Sequence, residues 1–219
     1  MKTPQSCLRL LMLCTLSFFL TACFSFNSLS NQKSATNHRL GGDVSAIDYV
    51  WSGHPIKPYL LTKGDDQFVA YFDANRQMTI AHRVIGKPWR FHKVDSWLGW
   101  DSHNYVTMEL DKKGYLHVMG NMHGDNLEYF RMTEPMAVRS IERIDVMVDE
   151  QLESRMTYPI FLLNKQKELI VKYRHGGSGN GDEIYNIYST ETKVWQRLHA
   201  NQFLNGEGLM SGYFEGLIY

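Results

Sequence analysis

The hydrophobic and polar positions of this chain alternate in short runs from Tyr49 onward. Runs of about five to eight residues, rich in Val, Ile, Tyr, Phe and Thr, are separated by clusters of Asp, Asn, Lys and Gly, which is typical of β-strands joined by tight turns. An apolar period of 3.6 residues is not sustained, because the best candidate for a helix, residues 136–152, is charged on several faces. The pattern predicts an all-β protein.

A unit of strand, polar turn and strand recurs three times in this pattern. The copies are residues 68–82, 105–119 and 158–172, with turns that begin at Asp73, Asp111 and Asn164. Two later segments, residues 89–93 and 195–199, also match each other, because each predicts a strand with a Trp and a His after the hairpin. Hairpins that recur at a spacing of tens of residues, with a trailing Trp strand, favour the blades of a β-propeller over a β-sandwich.

The length of the chain limits the size of this propeller. At roughly 40–50 residues a blade, the folded part has room for about four blades. The last segment, residues 214–219, has the pattern of another inner strand that stops without a partner. The sequence therefore predicts a truncated propeller with an exposed final edge that is prone to pairing with other strands.

The first residues predict an export signal. Lys2 and Arg9 accompany an apolar run over residues 8–20, which closes in Leu-Thr-Ala-Cys23, as in a secretory signal peptide covering residues 1–22. The run is shorter than the ~20 apolar residues of a membrane-spanning helix. The closing motif also resembles the bacterial lipobox, which implies a lipid-modified Cys23 anchored in the membrane.

Phe24 stands where an Asp would retain such a lipoprotein in the inner membrane, so the resemblance implies the outer membrane. The alternative is an ordinary secreted or periplasmic protein. Residues 23–42 are polar and rich in Asn and Ser, as in a flexible tether, and residues 43–219 form the predicted propeller domain.

Cysteine content and charge narrow the chemistry of that domain. All three cysteines, Cys7, Cys14 and Cys23, precede it, so no disulfide is expected in the folded part. The chain has 23 cationic and 23 anionic side chains, and loss of residues 1–22 removes two cations. The resulting slight excess of negative charge argues against a nucleic-acid partner, which calls for a basic surface.

Two hairpins place four chemically active side chains in mirrored positions. His103 and His123 are symmetric about position 113, and Tyr158 and Arg174 about position 166, so each pair is expected to lie opposite across its two strands. Both pairs lie about eight to ten residues from their turns, or ~25–30 Å at the rise of a strand. Because the blades of a propeller point the same way, all four side chains should meet at one mouth of its channel.

Residues beside these four support an open binding rim. Asn104 follows His103, Asn121 lies two residues before His123 in a Gly-flanked segment, and residues 174–182 are rich in glycine. Glycine allows a ligand to approach the backbone closely, so Asn104 and Asn121 are predicted to bind substrate. Each histidine taken alone also fits a purely structural role, and the mirrored set is what favours a site.

The four residue types match the needs of β-elimination at a uronic acid. Arg174 can pair with a carboxylate in bidentate fashion and stays charged, and His103 or His123 can act as a base near neutral pH. Tyr158, ordinarily a weak acid, has its phenolate favoured by a neighbouring arginine and so can exchange a proton. No nucleophile or cofactor is required.

Four motifs around these residues resemble the ulvan lyases of the BNR-repeat, seven-bladed propeller type, in polysaccharide lyase families 24 and 25. They are Ser-His103-Asn-Tyr, Gly-Asn-Met-His123-Gly-Asp, Arg-Met-Thr-Tyr158-Pro and Tyr-Arg174-His-Gly-Gly-Ser-Gly-Asn. The resemblance runs from about Tyr49 to the end of the chain. It implies an endolytic lyase that cleaves ulvan between sulfated rhamnose and uronate.

The resemblance also implies roles for these residues. Tyr158 is the expected acid and His103 or Tyr158 the expected base, while His123 and Arg174 bind the uronate. The chain departs from the family in its length, because the later blades are missing together with any further substrate ligands. Whether calcium or zinc is bound is left open, and so is the activity of the short form.

Two other functions remain open. A glycoside hydrolase needs two carboxyl groups across the scissile bond, and the carboxylates near the hairpins do not occupy the mirrored positions. A non-catalytic carbohydrate-binding propeller, or an inactive remnant of a lyase, needs only a sugar-binding surface. Trp97, Trp100 and Tyr105 are candidates for stacking on sugar rings, although packing within a blade is the commoner role of such residues.

Overall fold

The computed structural model describes residues 44–210 and confirms the predicted all-β architecture. Thirteen strands and one short 3₁₀ turn, Val138–Ser140, lie within this range. The strands form three antiparallel sheets, all within a compact unit that begins at Ile47. In this part of the chain no helix is long and apolar enough to cross a membrane.

The first sheet contains the strands β1 to β4 in sequence order. They are β1 (Tyr59–Lys63), β2 (Asp66–Phe72), β3 (Gln77–Val84) and β4 (Arg90–Trp97). The hairpin between β2 and β3 is closed by Asp73, whose Oδ1 accepts the backbone N–H groups of Asn75 and Gln77 at 2.9 and 3.0 Å. Such local bonds let a short aspartate side chain set a turn.

The second sheet also has a hairpin whose turn is closed by an aspartate. It consists of β5 (Val106–Leu110), β6 (Leu116–Gly120), β8 (Tyr129–Met132) and β9 (Ile141–Ile144). Asp111 Oδ1 accepts the backbone N–H groups of Lys113 and Tyr115 at 2.9 and 3.0 Å. The resulting register pairs Val106 with Gly120, which is the symmetry about position 113 that the sequence predicted.

The third sheet includes one short strand that comes from the chain segment of the second sheet. It consists of β7 (His123–Asp125), β10 (Met156–Leu163), β11 (Leu169–His175), β12 (Asp182–Ser189) and β13 (Val194–Arg197). The short strand β7 follows β6 along the chain but pairs with β10. This crossover brings the segment that carries His123 against the start of the next sheet.

Successive sheets stack face to face, and the middle sheet is buried on both sides. Along β6, Leu116 and Val118 point into the core shared with the first sheet. Met119 joins the core shared with the third sheet, and His117 contacts aromatic rings of that sheet. Because side chains alternate across a strand, a sheet covered on both faces shows a nearly continuous buried run, as all five residues of β6 do.

Several expectations are corrected or lie beyond the described residues. Three sheets lie within residues 44–210, with fifteen residues before β1 and long loops between the sheets, whereas the prediction of about four blades covered the chain to residue 219. The predicted Trp-and-His strands are only half right: Trp89 precedes β4 and His199 follows β13. The predicted leader, Cys23, the tether and the last strand fall outside the described range.

Candidate functional site

His103 and His123 meet at one end of the second sheet. His103 lies in the loop that leads into β5, and His123 begins β7 just after β6. Their rings stack with centroids 4.2 Å apart and planes inclined by 29°. Both side chains remain accessible, at 49% and 28% exposure, so both can touch a ligand.

A carboxylate that the sequence did not single out joins the two imidazoles. Asp101 Oδ1 lies 2.6 Å from His103 Nδ1, and its Oδ2 lies 2.6 Å from His123 Nδ1. The backbone N–H of His103 also donates to Asp101 Oδ1, at 2.9 Å. The spacing Asp-x-His was the available signal, since an aspartate two residues before a histidine readily accepts its backbone N–H.

The electrostatics of Asp101 follow from these contacts. Partial burial acts to raise the pKa of its carboxyl, but the hydrogen bonds from the His103 backbone and from both imidazoles outweigh burial and hold that pKa well below its usual range. Asp101 is therefore an anion at any pH at which the protein would function, and it cannot serve as a proton donor.

Tyr158 is placed by a β-bulge rather than by regular pairing. The register between β10 and β11 shifts between Thr157 and Ile160, so Arg174 pairs with Thr157 and not with Tyr158 as predicted. Tyr158 has a positive φ of 54°, which is rare for a residue with a side chain and marks a local constraint. The extra residue of the bulge redirects the phenol.

The redirected phenol faces the two histidines. The Tyr158 ring centroid lies 6.1 Å from that of His103 and 5.8 Å from that of His123. On another side it stacks in parallel with Tyr105 at 6.1 Å. Burial, and to a smaller extent the neighbouring Tyr158, raise the pKa of Tyr105, so the Tyr105 phenol is held neutral.

Arg174 lies next to Tyr158. Its guanidinium carbon is 5.3 Å from the centroid of the Tyr158 ring, and one of its terminal nitrogens donates to Thr157 Oγ1 at 3.2 Å. Arg174 is only 4% exposed. Its positive charge therefore lies beside the Tyr158 ring in a position largely closed to solvent.

Asn104 and Asn121 hold the loops of the site together. Asn104 is buried, and its Nδ2 donates to Asn121 Oδ1 at 3.1 Å. Asn121 in turn donates to the carbonyl oxygen of Trp97 at 2.9 Å and to Ser96 Oγ at 3.1 Å. These bonds connect the ends of β4, β5 and β6. Substrate binding by Asn104 and Asn121 stays a prediction.

Three of these side chains could also hold a metal ion. Donor atoms of Asp101, His103 and His123 all lie within 4.8 Å of one another. Ligands around a tetrahedral zinc at about 2.0–2.1 Å lie roughly 3.3 Å apart. The observed 2.6 Å from each imidazole nitrogen to a carboxylate oxygen fits a charge-assisted hydrogen bond better.

Exposed aromatic residues border the cluster. Trp100, the residue before Asp101, is 72% exposed, and Trp97 is 53% exposed. The Trp100 ring is held by edge contacts with Trp51 at 5.6 Å and His54 at 5.2 Å. A held aromatic ring with an open surface can stack on the apolar face of a sugar, in addition to the packing role considered above.

Comparisons with known proteins agree with this architecture. The model of the BNR repeat-containing family matches residues 66–219, whereas a comparison with curated protein sequences found no match. Among solved structures, polysaccharide lyase Uly1 is 14% identical with a TM-score of 0.60, covering 73% of this chain and 45% of its own.

A PL25 ulvan lyase is also similar in fold. Its structure is 16% identical with a TM-score of 0.50, and the structure bound to -[GlcA(1-4)Rha3S]- is 15% identical with the same score. Each comparison covers 69% of this chain and 38% of the lyase chain. At such identities the likeness shows the fold alone, and this chain spans less than half the length of these solved structures.

Proposed function

This chain belongs to the BNR repeat-containing family, and from that premise we propose that it is a polysaccharide lyase that cleaves a uronate-containing polysaccharide such as ulvan by β-elimination. The observation that carries the proposal is one cluster at the end of the second sheet. It combines two imidazoles on a shared carboxylate with a phenol about 6 Å away and a guanidinium behind the phenol.

The proposed reaction begins with the acidity of the carbon next to the uronate carboxylate. His123, at the accessible rim, and the charge of Arg174 stabilise the negative charge that develops on that carboxylate. Placing donors where charge develops stabilises the transition state more than the ground state. The buried position of Arg174 makes His123 the first contact of the carboxylate.

Proton transfer completes the elimination. His103, or Tyr158 as phenolate, takes the proton from the carbon next to the carboxylate, and that electron pair forms a carbon–carbon double bond. The bond from the neighbouring carbon to the glycosidic oxygen breaks, and this oxygen takes a proton from the Tyr158 hydroxyl. If His103 is the base, it then returns its proton through solvent to the Tyr158 phenolate. If Tyr158 is the base, the proton that it took from carbon is the one that it gives to the glycosidic oxygen, and Tyr158 is a phenolate again.

The closeness of Tyr158 to both imidazoles, 6.1 and 5.8 Å between ring centroids, would let the phenol and the base contact the same sugar residue. Hydrolysis by paired carboxyl groups is less well supported. Both oxygens of Asp101 accept hydrogen bonds from the histidines, and the low pKa of Asp101 prevents it from acting as the acid that a glycosidase needs.

A non-catalytic carbohydrate-binding role is the second candidate. It is favoured by one observation, the exposed aromatic rings of Trp97 and Trp100 beside the cluster. A binder would retain the exposed Trp97 and Trp100 without needing proton transfer.

The test is incubation of the purified chain with ulvan, followed by the ultraviolet absorbance of unsaturated uronate ends. A lyase produces this absorbance together with new reducing ends. New reducing ends without it would indicate a hydrolase, and retention of the polysaccharide without cleavage would indicate a binder. Either of these outcomes would contradict the proposal.

A matched pair of tyrosine variants tests the site. Tyr158→Phe removes the proposed acid and should lower the rate of elimination about 10²–10⁴-fold. Tyr49→Phe, at a residue that is 72% exposed and outside the cluster, should leave the rate unchanged. Equal rates in the two variants would remove Tyr158 from the mechanism.

A further inference from the structure

The two imidazoles of the site are bonded to one carboxylate through equivalent atoms. Each Asp101 oxygen lies 2.6 Å from the Nδ1 atom of one histidine. An ionised carboxylate can only accept hydrogen bonds, and the pKa of Asp101 lies well below its usual range. Each Nδ1 must therefore carry the proton of its bond. In the neutral form of each ring, Nε2 is then left without a proton.

Asp101 itself is held in place by the backbone. Its Oδ1 also accepts the N–H of His103 at 2.9 Å, and its carbonyl oxygen accepts the N–H of Asn104 at 3.4 Å. The side chain of Asn104 is fixed in turn on Asn121. The carboxylate therefore has a defined orientation, which it passes on to both rings.

The two rings also restrain each other. Their centroids lie 4.2 Å apart and their planes are inclined by 29°, so rotation of either ring would break both its bond to Asp101 and its stacking contact. A group that fixes the tautomer and direction of a histidine controls which nitrogen meets the substrate.

We propose that Asp101 is a positioning residue that holds His103 and His123 together in the tautomer protonated on Nδ1, so that both present Nε2 to the substrate. The proposal rests on the proposed function, because it explains how one histidine can accept a proton while its neighbour contacts the uronate. His103 then acts as base through Nε2, and His123 takes part through the same atom once that atom is protonated.

The experiment is nitrogen–proton correlation spectroscopy of the imidazole side chains in the complete chain, at a pH where the rings are neutral. The signals of the two residues are identified by their loss in His103→Gln and His123→Gln. In the unaltered protein both rings should show a proton on Nδ1. A proton on Nε2 of either neutral ring would overturn the proposal.

Asp101→Asn provides the decisive variant. A carboxamide has one accepting oxygen and one donating nitrogen, so it can accept from only one Nδ1 and must donate to the other. One of the two rings should therefore move its proton to Nε2. Asp125→Asn is the matched control, because Asp125 Oδ2 accepts the backbone N–H of His123 rather than a ring N–H. Both rings should keep their protons on Nδ1 in this variant.

Activity provides a second, separate measurement. If the chain is a lyase, Asp101→Asn should lower kcat about 10²–10⁴-fold and change KM much less, with an altered pH profile. An inactive wild-type chain with the expected tautomers would contradict the proposed function but not the role of Asp101. Unchanged tautomers in Asp101→Asn, or one bound zinc per chain that this variant loses, would overturn the positioning role.

Discussion

Two clusters in this protein pair an aspartate with histidine and have opposite surroundings. The rim cluster consists of Asp101, His103 and His123, and its side chains are 28–49% exposed. The buried cluster consists of Asp111 and His117, which are 1% and 0% exposed. The same residue types thus occur within a short stretch of chain, once where a substrate can reach them and once where none can.

The buried cluster is built into the contact between the second and third sheets. His117 Nδ1 lies 2.6 Å from the hydroxyl of Tyr129, which also accepts the indole N–H of Trp195 at 3.1 Å. The simplest assignment is that Tyr129 donates its proton to Nδ1, which leaves the His117 proton on Nε2. That nitrogen faces Asp111 Oδ2 at 3.7 Å, too long for a hydrogen bond.

The two clusters therefore hold opposite tautomers, because their partners have opposite chemistry. A carboxylate at the rim can only accept, whereas the phenol in the core donates. Burial lowers the pKa of His117, more strongly than the attraction of Asp111 raises it, so His117 remains neutral. Residue type alone therefore does not distinguish a histidine that a ligand can reach from one that packs the core, whereas accessibility and the partner of its Nδ1 do.

The largest expected effect is on activity at the rim. His103→Ala removes the proposed base and should lower the rate of elimination about 10²–10⁴-fold. The variant also loses the hydrogen bond to Asp101, but because the side chain is half exposed, the free energy of unfolding should fall by only about 1 kcal/mol. Ulvan cleavage and urea denaturation measure the two quantities. A variant that unfolds easily, or that keeps its activity, would contradict the assignment of His103 to the rim site.

The reverse result is expected in the core. His117→Ala leaves a cavity and removes the acceptor of the Tyr129 hydroxyl, which together should cost about 3 kcal/mol of unfolding free energy. Urea denaturation followed by tryptophan fluorescence measures this loss. His199→Ala, at an exposed position, is the control and should be near neutral. Equal stabilities for the two variants would mean that His117 is not a packing residue.

Acid should affect the two clusters in separate pH ranges. Because burial lowers the pKa of His117 below its usual value of about 6.5, the unfolded chain binds a proton at a pH where the folded chain does not. The unfolding free energy should therefore fall as pH drops from about 6.5 toward the folded pKa. His117→Gln should reduce this slope, and an unchanged slope would exclude His117 as its source.

The contribution of the rim cluster to stability should change with pH only in a more acidic range. Hydrogen bonds from the His103 backbone and both imidazoles hold the pKa of Asp101 below its usual value of about 3.9, so its stabilising contacts are fully present above that pH and are lost as pH falls through the folded pKa. Asp101→Asn should therefore change the pH dependence of the unfolding free energy below about pH 4, which acid denaturation measures.

The smallest expected effect concerns the aromatic residues of the same two regions. Trp100 is 72% exposed at the rim, whereas Trp195 is 4% exposed in the core. Trp100→Ala should weaken polysaccharide binding by about 2–10-fold, as expected for one lost stacking contact, with little change in stability. Affinity electrophoresis on ulvan measures the binding. Phe91→Ala, at a residue 49% exposed at the other end of β4, is the control, and equal losses would argue against a subsite at Trp100.

The hairpins could be predicted because their causes are local. Asp73 and Asp111 close their turns through bonds to backbone N–H groups two and four residues further on. The position of the turn sets the register of the two strands. The symmetric positions of His103 and His123 about their turn could therefore be predicted from residue numbers alone. The pairing of Tyr158 with Arg174 failed because the bulge after Thr157 leaves no distinct mark in the sequence.

Sequence alone determined that this chain forms β-hairpins with two histidines carried at the end of one of them, since turn residues and alternating side chains act over a few positions. Only the tertiary structure decided that Asp101 joins these histidines while Asp111 and His117 are sealed between two sheets. The stacking of the sheets sets which face of each strand is buried, and the pairing of β7 with β10 of the third sheet sets which loops meet. Both depend on contacts between residues far apart in the chain, which a local pattern does not record.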